Sequence, residues 1–150
     1  MSVIRQDDFI DSVADALQFI SYYHPLDFVK AVNEAYEREQ NPAARDAMAQ
    51  ILINSRMCAE GHRPICQDTG IVTVFLKIGM DVQWDAELSV SDMVNEGVRR
   101  AYTHPDNVLR ASILEDPAGA RRNTKDNTPA VIHMEVVKGD TLHVQLAAKG

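Results

Sequence analysis

Residues 63–72, Arg63-Pro64-Ile65-Cys66-Gln67-Asp68-Thr69-Gly70-Ile71-Val72, divide the chain into two kinds of pattern. Before this run, apolar residues recur at spacings of three and four, the period of a helix face. After it, Ile71-Val72-Thr73-Val74-Phe75-Leu76 reads as a strand. Pro64 fixes its own φ and pushes Arg63 out of helical geometry, and Gly70 permits a turn that other residues resist. The chain must therefore place helices first and a sheet after them, with this run as the connection. Four consecutive residues in it, Cys66 to Thr69, carry a thiol, an amide, a carboxylate and a hydroxyl. Loops between regular elements are where functional side chains are often displayed. Asp68-Thr69-Gly70 also reads as ordinary turn chemistry, and residue types alone leave both readings open.

Upstream, Phe9, Ile10, Val13, Leu17 and Ile20 make one stripe, which predicts a helix over 7–22. A second helix is expected over about 26–40, with Phe28, Val29, Val32 and Tyr36 apolar. Asn41 then stands as an N-cap with Pro42 at the first helical position of a third helix, which ends near Gly61. Cys58 falls on that helix and reads as a small buried apolar residue. His62 at its end reads as a cap. Downstream, a strand is expected over 71–79, with a turn and short continuation to Trp84, read as a packing residue. A helix follows over 91–102, capped by Ser89 or Ser91. Residues 103–129 form the longest irregular stretch and hold a basic island, Arg121, Arg122 and Lys125. A loop of that length in a compact domain is usually functional or mobile. Two strands close the chain, 130–137 and 141–147, with Lys138-Gly139-Asp140 as a hairpin turn signal. His133 and His143 read as strand-face histidines. The expected class is α+β: N-terminal helices packed on a small, mostly antiparallel β-sheet.

Composition bounds the function. The chain of 150 residues suits one domain and can bury a core without disulfides. A net charge of −7 argues against nucleic acid as a partner, since neutralising phosphates needs a basic face. An acidic chain that binds a small anion must supply local cations. Neither the number nor the spacing of Cys58 and Cys66 suggests a disulfide framework or a zinc knuckle. The first residues lack the apolar core of a signal peptide, and no stretch approaches the roughly 20 apolar residues needed to cross a bilayer. A cytoplasmic location is the default expectation.

Cys66-Gln67-Asp68-Thr69-Gly70 resembles the signature of the class I, iron–sulfur-dependent fumarate hydratases and the related tartrate dehydratases. A second block agrees: Asn107-Val108-Leu109-Arg110, then residues 123–133, Asn123-Thr124-Lys125-Asp126-Asn127-Thr128-Pro129-Ala130-Val131-Ile132-His133. A third, Ala148-Lys149-Gly150, resembles the start of that family's Lys-Gly-Gly-Gly segment. The three blocks stand in the family's order.

The resemblance implies a hydro-lyase interconverting fumarate and (S)-malate, with tartrate dehydration as the alternative enzyme and a stand-alone interaction domain as the non-enzyme alternative. It implies that Cys66 is one of three cysteine ligands to a four-iron, four-sulfur (4Fe-4S) cluster. One iron of such a cluster is open to substrate and acts as a Lewis acid. The family's other two cluster cysteines lie further on, so residues 1–150 are expected to be the N-terminal domain of a truncated chain, inactive alone and partnered by the remainder of the enzyme. A homo-oligomer is expected. By the same resemblance Gln67 orients a substrate carboxylate, Asp68 partners the substrate hydroxyl, and Arg110 clamps a carboxylate. Arginine's planar fork suits the last role. Without the motif, Arg110 reads as a surface arginine. Asn123, Thr124 and Asn127 are expected to shape the site.

Overall fold

The computed structural model describes residues 2–66, 68–106 and 109–149. In chain order the elements are β1 (Val3–Arg5), α1 (Gln6–Tyr22), α2 (Leu26–Arg38), α3 (Pro42–Gly61), β2 (Ile71–Gly79), β3 (Gln83–Asp85), α4 (Val90–Thr103), β4 (Leu114–Glu115), β5 (Arg122–Asn123), β6 (Val131–Val137) and β7 (Leu142–Lys149). They fall into two compact units, Met1–Gln18 with Asp68–Gly150, and Phe19–Gln67.

The core of the first unit follows from three apolar stripes. Helix α1 buries Phe9, Ile10, Val13 and Leu17, as their helical spacing predicts. Helix α4 buries Met93, Val94, Gly97, Val98, Ala101 and Tyr102. The Ser89 hydroxyl accepts the Asp92 N–H at 3.1 Å, which settles Ser89 rather than Ser91 as its cap. Gly97 is where the two helices meet: a methyl group there would lie 2.7 Å from Val13 Cβ and 2.9 Å from the Ile10 carbonyl. Strand β2 alternates, burying Val72, Val74 and Leu76 and exposing Ile71, Phe75 and Lys77. Trp84 packs edge-on against Phe9 at 5.4 Å, the packing role expected of it.

The α+β class holds, and the pairing within the sheet is where the structure departs from expectation. The central sheet is mixed, in the order β6-β2-β7. β6 runs parallel to β2, with Thr73 opposite Val131. β7 runs antiparallel to β2, with Ile71 opposite Lys149. So residues 130–137 and 141–147 are both strands, but they are not neighbours, because β2 lies between them. The turn signal at 138–140 reports a reversal of the chain and carries no information about what slips between its arms. β2 is the most continuously apolar strand and takes the centre, where both of its edges are paired. β6 and β7 carry His133, Glu135, His143 and Gln145 and take the edges. His133 stacks on Phe75 with ring centroids 4.9 Å apart, on the exposed sheet face. The 138–141 connection wraps over the end of β2, where Gly79 N–H donates to the Thr141 carbonyl and Asp81 N–H to the Gly139 carbonyl, each at 2.9 Å. Two further pairs went unread in the sequence: β1 with β3, parallel, and β4 with β5, antiparallel. At two or three residues per strand, neither shows a periodicity to read.

The second unit is helical. Asn41 caps α3 as expected, its Oδ1 accepting the Ala43 N–H at 3.0 Å. His62 also ends α3, but through its backbone: it sits at φ 46° and its N–H donates to the Cys58 carbonyl. Its ring stacks on Tyr22 at 5.5 Å. Among the described residues no helix is long and apolar enough to cross a membrane.

Candidate functional site

The segment before Cys66 is fixed by the end of α3. Asn54 Nδ2 donates to the Ile65 carbonyl at 3.0 Å, and Ile65 N–H donates to the Ser21 carbonyl at 2.9 Å. Cys58 is buried, its Sγ 3.5 Å from the Pro64 carbonyl and 3.6 Å from Asn54 Oδ1. The buried, structural reading of Cys58 therefore holds, and its thiol helps to hold the turn that presents Cys66. Cys66 is exposed on that turn, and neither cysteine is in a disulfide.

Asp68 and Arg110 belong to the first unit, whereas Cys66 belongs to the second. Asp68 and Arg110 are both exposed. Arg110 Nε donates to the Thr69 hydroxyl at 3.4 Å, at the long end of hydrogen bonding. Gln67 lies outside the described residues, as do Asn107, Val108 and Gly150 of the sequence blocks.

Topology draws parts of the three blocks together within the first unit. Lys149, at the end of β7, lies opposite Ile71, the first residue of β2 and the residue after Gly70. β6 starts beside the same end of β2, so the 123–130 stretch that leads into it arrives there too. Asn127 is fully buried, and its Nδ2 donates to the Gly70 carbonyl at 3.2 Å while its Oδ1 accepts the Ser112 N–H at 3.1 Å. Sequence reading gave Asn127 a general shaping role and missed these partners. An asparagine in a long loop is a signal for local turn chemistry, not for a bond across 57 positions.

The irregular stretch is itself held by side chains. Asp116, Arg121, Lys125 and Asn127 all have positive φ, a conformation that aspartate and asparagine tolerate and that arginine and lysine rarely adopt. Asp116 Oδ2 accepts the Ala120 N–H, Asn123 Oδ1 accepts the Lys125 N–H, and Asp126 Oδ1 accepts the Thr128 N–H. Asp126 also pairs with Arg99 Nε at 3.1 Å. Burial alone would raise the Asp126 pKa, but the bonds from Thr128 and Arg99 outweigh it and hold the carboxyl below its ordinary value. In the basic island, Arg122 pairs with Glu115 across β4 and β5 at 3.1 Å.

The donor set decides what metal chemistry fits. An exposed thiol on a turn can serve as a thiolate ligand, and Cys66 has that setting. Cys58 is buried and engaged by Asn54 and Pro64. Among the described residues no group of three His, Cys, Asp or Glu side chains is placed to hold a metal ion. A groove of about 640 Å³ between α2 and α3, lined by Val29, Lys30, Asn33, Glu34, Leu52, Ile53 and Arg56, includes none of the expected site residues. The difference between the thiols is measurable: in the folded chain an alkylating reagent should modify Cys66 at least about tenfold faster than Cys58, because only exposed thiols react readily. Mass spectrometry of a timed iodoacetamide reaction reads both sites, and equal rates would contradict the placement.

The sequence model of the fumarate hydratase (Fumerase) family matches residues 10–150. The chain belongs to that family. Among its curated relatives, a protein of Methanocaldococcus jannaschii named as L(+)-tartrate dehydratase subunit alpha is 32% identical over 91 residues, 61% of this chain and 32% of that protein. A protein of Geobacillus stearothermophilus named as fumarate hydratase class I is 30% identical over 131 residues, 84% of this chain and 24% of that protein. The anaerobic fumarate hydratase class I of Escherichia coli K12 is 33% identical over 101 residues, 67% of this chain and 18% of that protein. The chain thus spans between 18% and 32% of the length of these three relatives. The class I fumarate hydratase resemblance carried by Cys66 to Gly70 is thus supported by a family match over residues 10–150 and by relatives that bear that name.

Proposed function

We propose that residues 1–150 form the N-terminal part of a class I hydro-lyase that adds water to fumarate to give (S)-malate, and runs the reverse. One observation supports this reading: the end of β2 gathers the 68–70 turn, the 123–130 stretch and Lys149, a part of each family block, within one unit. The substrate is a small dicarboxylate, and Arg110 is the local cation that grips one of its carboxylates. A guanidinium makes two parallel charge-assisted bonds to a carboxylate, which fixes orientation as well as charge. The Thr69 hydroxyl, bonded to Arg110 Nε, steadies the arginine over the turn that carries Asp68. Asp68 faces the substrate hydroxyl and holds its proton, while Gln67 orients a carboxylate through its amide. In the family's chemistry an iron–sulfur cluster supplies Lewis-acid activation, and Cys66 is the ligand this segment contributes. The remaining ligands, and the base for the proton on carbon, belong to the rest of the enzyme. That remainder and a second copy of the whole are the partners this reading implies. Two cysteines outside any disulfide suit a reducing, cytoplasmic setting.

Tartrate is the second substrate to consider, because the M. jannaschii relative carries that name. Malate and tartrate are both hydroxy-dicarboxylates that lose water, so the roles of Arg110 and Asp68 are shared. The test is Arg110→Lys in the complete enzyme. Lysine keeps the charge and loses the fork, and hydrogen bonds to charged groups are worth roughly 1.5–3 kcal/mol, so kcat/KM should fall on the order of tenfold or more. Steady-state rates with fumarate, malate and L(+)-tartrate read this and rank the substrates. Unchanged kinetics with all three would remove Arg110 from the site.

A further inference from the structure

We infer that Asn127 is the positioning residue of this site: it locks the Asp68–Gly70 turn to the segment that carries Arg110. This rests on the dicarboxylate reading given above. Three observations converge on the one side chain. It is fully buried, the sole polar residue so buried among the described residues. Its amide spans two backbone strands of the site, donating to the Gly70 carbonyl at 3.2 Å and accepting the Ser112 N–H at 3.1 Å. Burial pushes the pKa of the Tyr102 phenol, in the last turn of α4, above its ordinary value, and Asn127 partly offsets that rise. Gly70 closes the turn two residues after Asp68, and Ser112 stands two residues after Arg110. One amide, which both donates and accepts, thus sets the distance between the proposed proton-holding carboxylate and the proposed carboxylate clamp.

The backbone at Asn127 is committed to this task. Its φ is 61°, in the left-handed region, which aspartate, asparagine and glycine tolerate best. The two residues before it are also held: Lys125 N–H donates to Asn123 Oδ1 and Asp126 pairs with Arg99. A buried amide with unmet partners is costly, so Asn127 can hold this place only while Gly70 and Ser112 stay in register.

The test compares Asn127→Gly, which keeps the left-handed backbone and removes the amide, with Asn127→Asp, which keeps an acceptor for Ser112 and loses the donor to Gly70. In the chain of residues 1–150, amide hydrogen exchange of Asn127→Gly should speed up at least tenfold in both 69–71 and 110–113, with β2 residues 74–77 unchanged. Asn127→Asp should spare 110–113 and release 69–71. In the complete enzyme, Asn127→Gly should raise KM for the dicarboxylate at least tenfold with a smaller change in kcat. Uniform acceleration across β2 would make Asn127 a stabilising core residue and overturn the proposal, as would no change at 69–71 or at 110–113. Arg110→Lys in parallel separates the two levels. If Arg110→Lys weakens catalysis and Asn127→Gly leaves KM untouched, the positioning role falls and the dicarboxylate reading stands. If both leave KM and kcat untouched, the Arg110 clamp falls together with the positioning role, and the dicarboxylate reading itself falls if the parent enzyme turns over none of fumarate, malate and L(+)-tartrate.

Discussion

Gly79→Ala should lower the stability of the chain by about 3 kcal/mol, near the upper end of what overpacking costs. A methyl group at Gly79 would lie 2.3 Å from the Gly139 carbonyl oxygen, 2.7 Å from its carbon and 2.9 Å from Thr141 N. All three are backbone atoms of the connection that wraps over the end of β2. No side chain can rotate away, so the connection itself must move. That movement would strain the bonds from Gly79 N–H to Thr141 and from Asp81 N–H to Gly139. The unfolded chain offsets little of this, since alanine gains at most about 1 kcal/mol there. In a chain of this size, 1 kcal/mol moves Tm by roughly 2–4 °C, so a fall near 10 °C is expected. Gly139→Ala is the internal comparison: φ there is 106°, but nothing stands within 4 Å of the added methyl. Its cost should be the backbone strain alone, about 1–2 kcal/mol. Thermal denaturation followed by circular dichroism measures both, and a Gly79→Ala chain as stable as the parent would refute the wrapped connection.

How much of this was legible in the sequence divides by range. Helices α1, α3 and α4 were readable because their signals are local: apolar spacing in Phe9 to Leu17, the cap and proline at Asn41-Pro42, and Ser89 before α4. β2 was readable from its apolar run. The order of strands was not, since a turn at Lys138-Gly139-Asp140 is compatible with either adjacent or separated arms. Only the cross-chain pairing of Ile71 with Lys149 and of Thr73 with Val131 decides between them. The site shows the same division. Cys66, Asp68 and Arg110 stood out through motif resemblance, and the burial of Cys58 through its helix face. The Thr69–Arg110 contact and the two bonds of Asn127 join residues 41, 57 and 15 positions apart, beyond any local pattern.

Cys66→Ser carries the largest functional effect. If Cys66 is the ligand this segment gives to an iron–sulfur cluster, serine removes a soft thiolate and leaves a hydroxyl that does not ionise at neutral pH. The loss should reach several powers of ten in hydration, because members of one catalytic unit do not act additively. Cys58→Ser is the contrasting change. It alters a buried thiol that touches Asn54 and the Pro64 carbonyl, so it should cost stability on the order of 1 kcal/mol and spare the chemistry.

The most direct measurement is made anaerobically on the complete enzyme, comparing parent, Cys66→Ser and Cys58→Ser for bound iron, acid-labile sulfide and malate formed from fumarate. The account predicts that Cys58→Ser keeps the parent's iron, sulfide and turnover, while Cys66→Ser loses cluster content and malate formation together. Full cluster content and parental turnover in Cys66→Ser would contradict it.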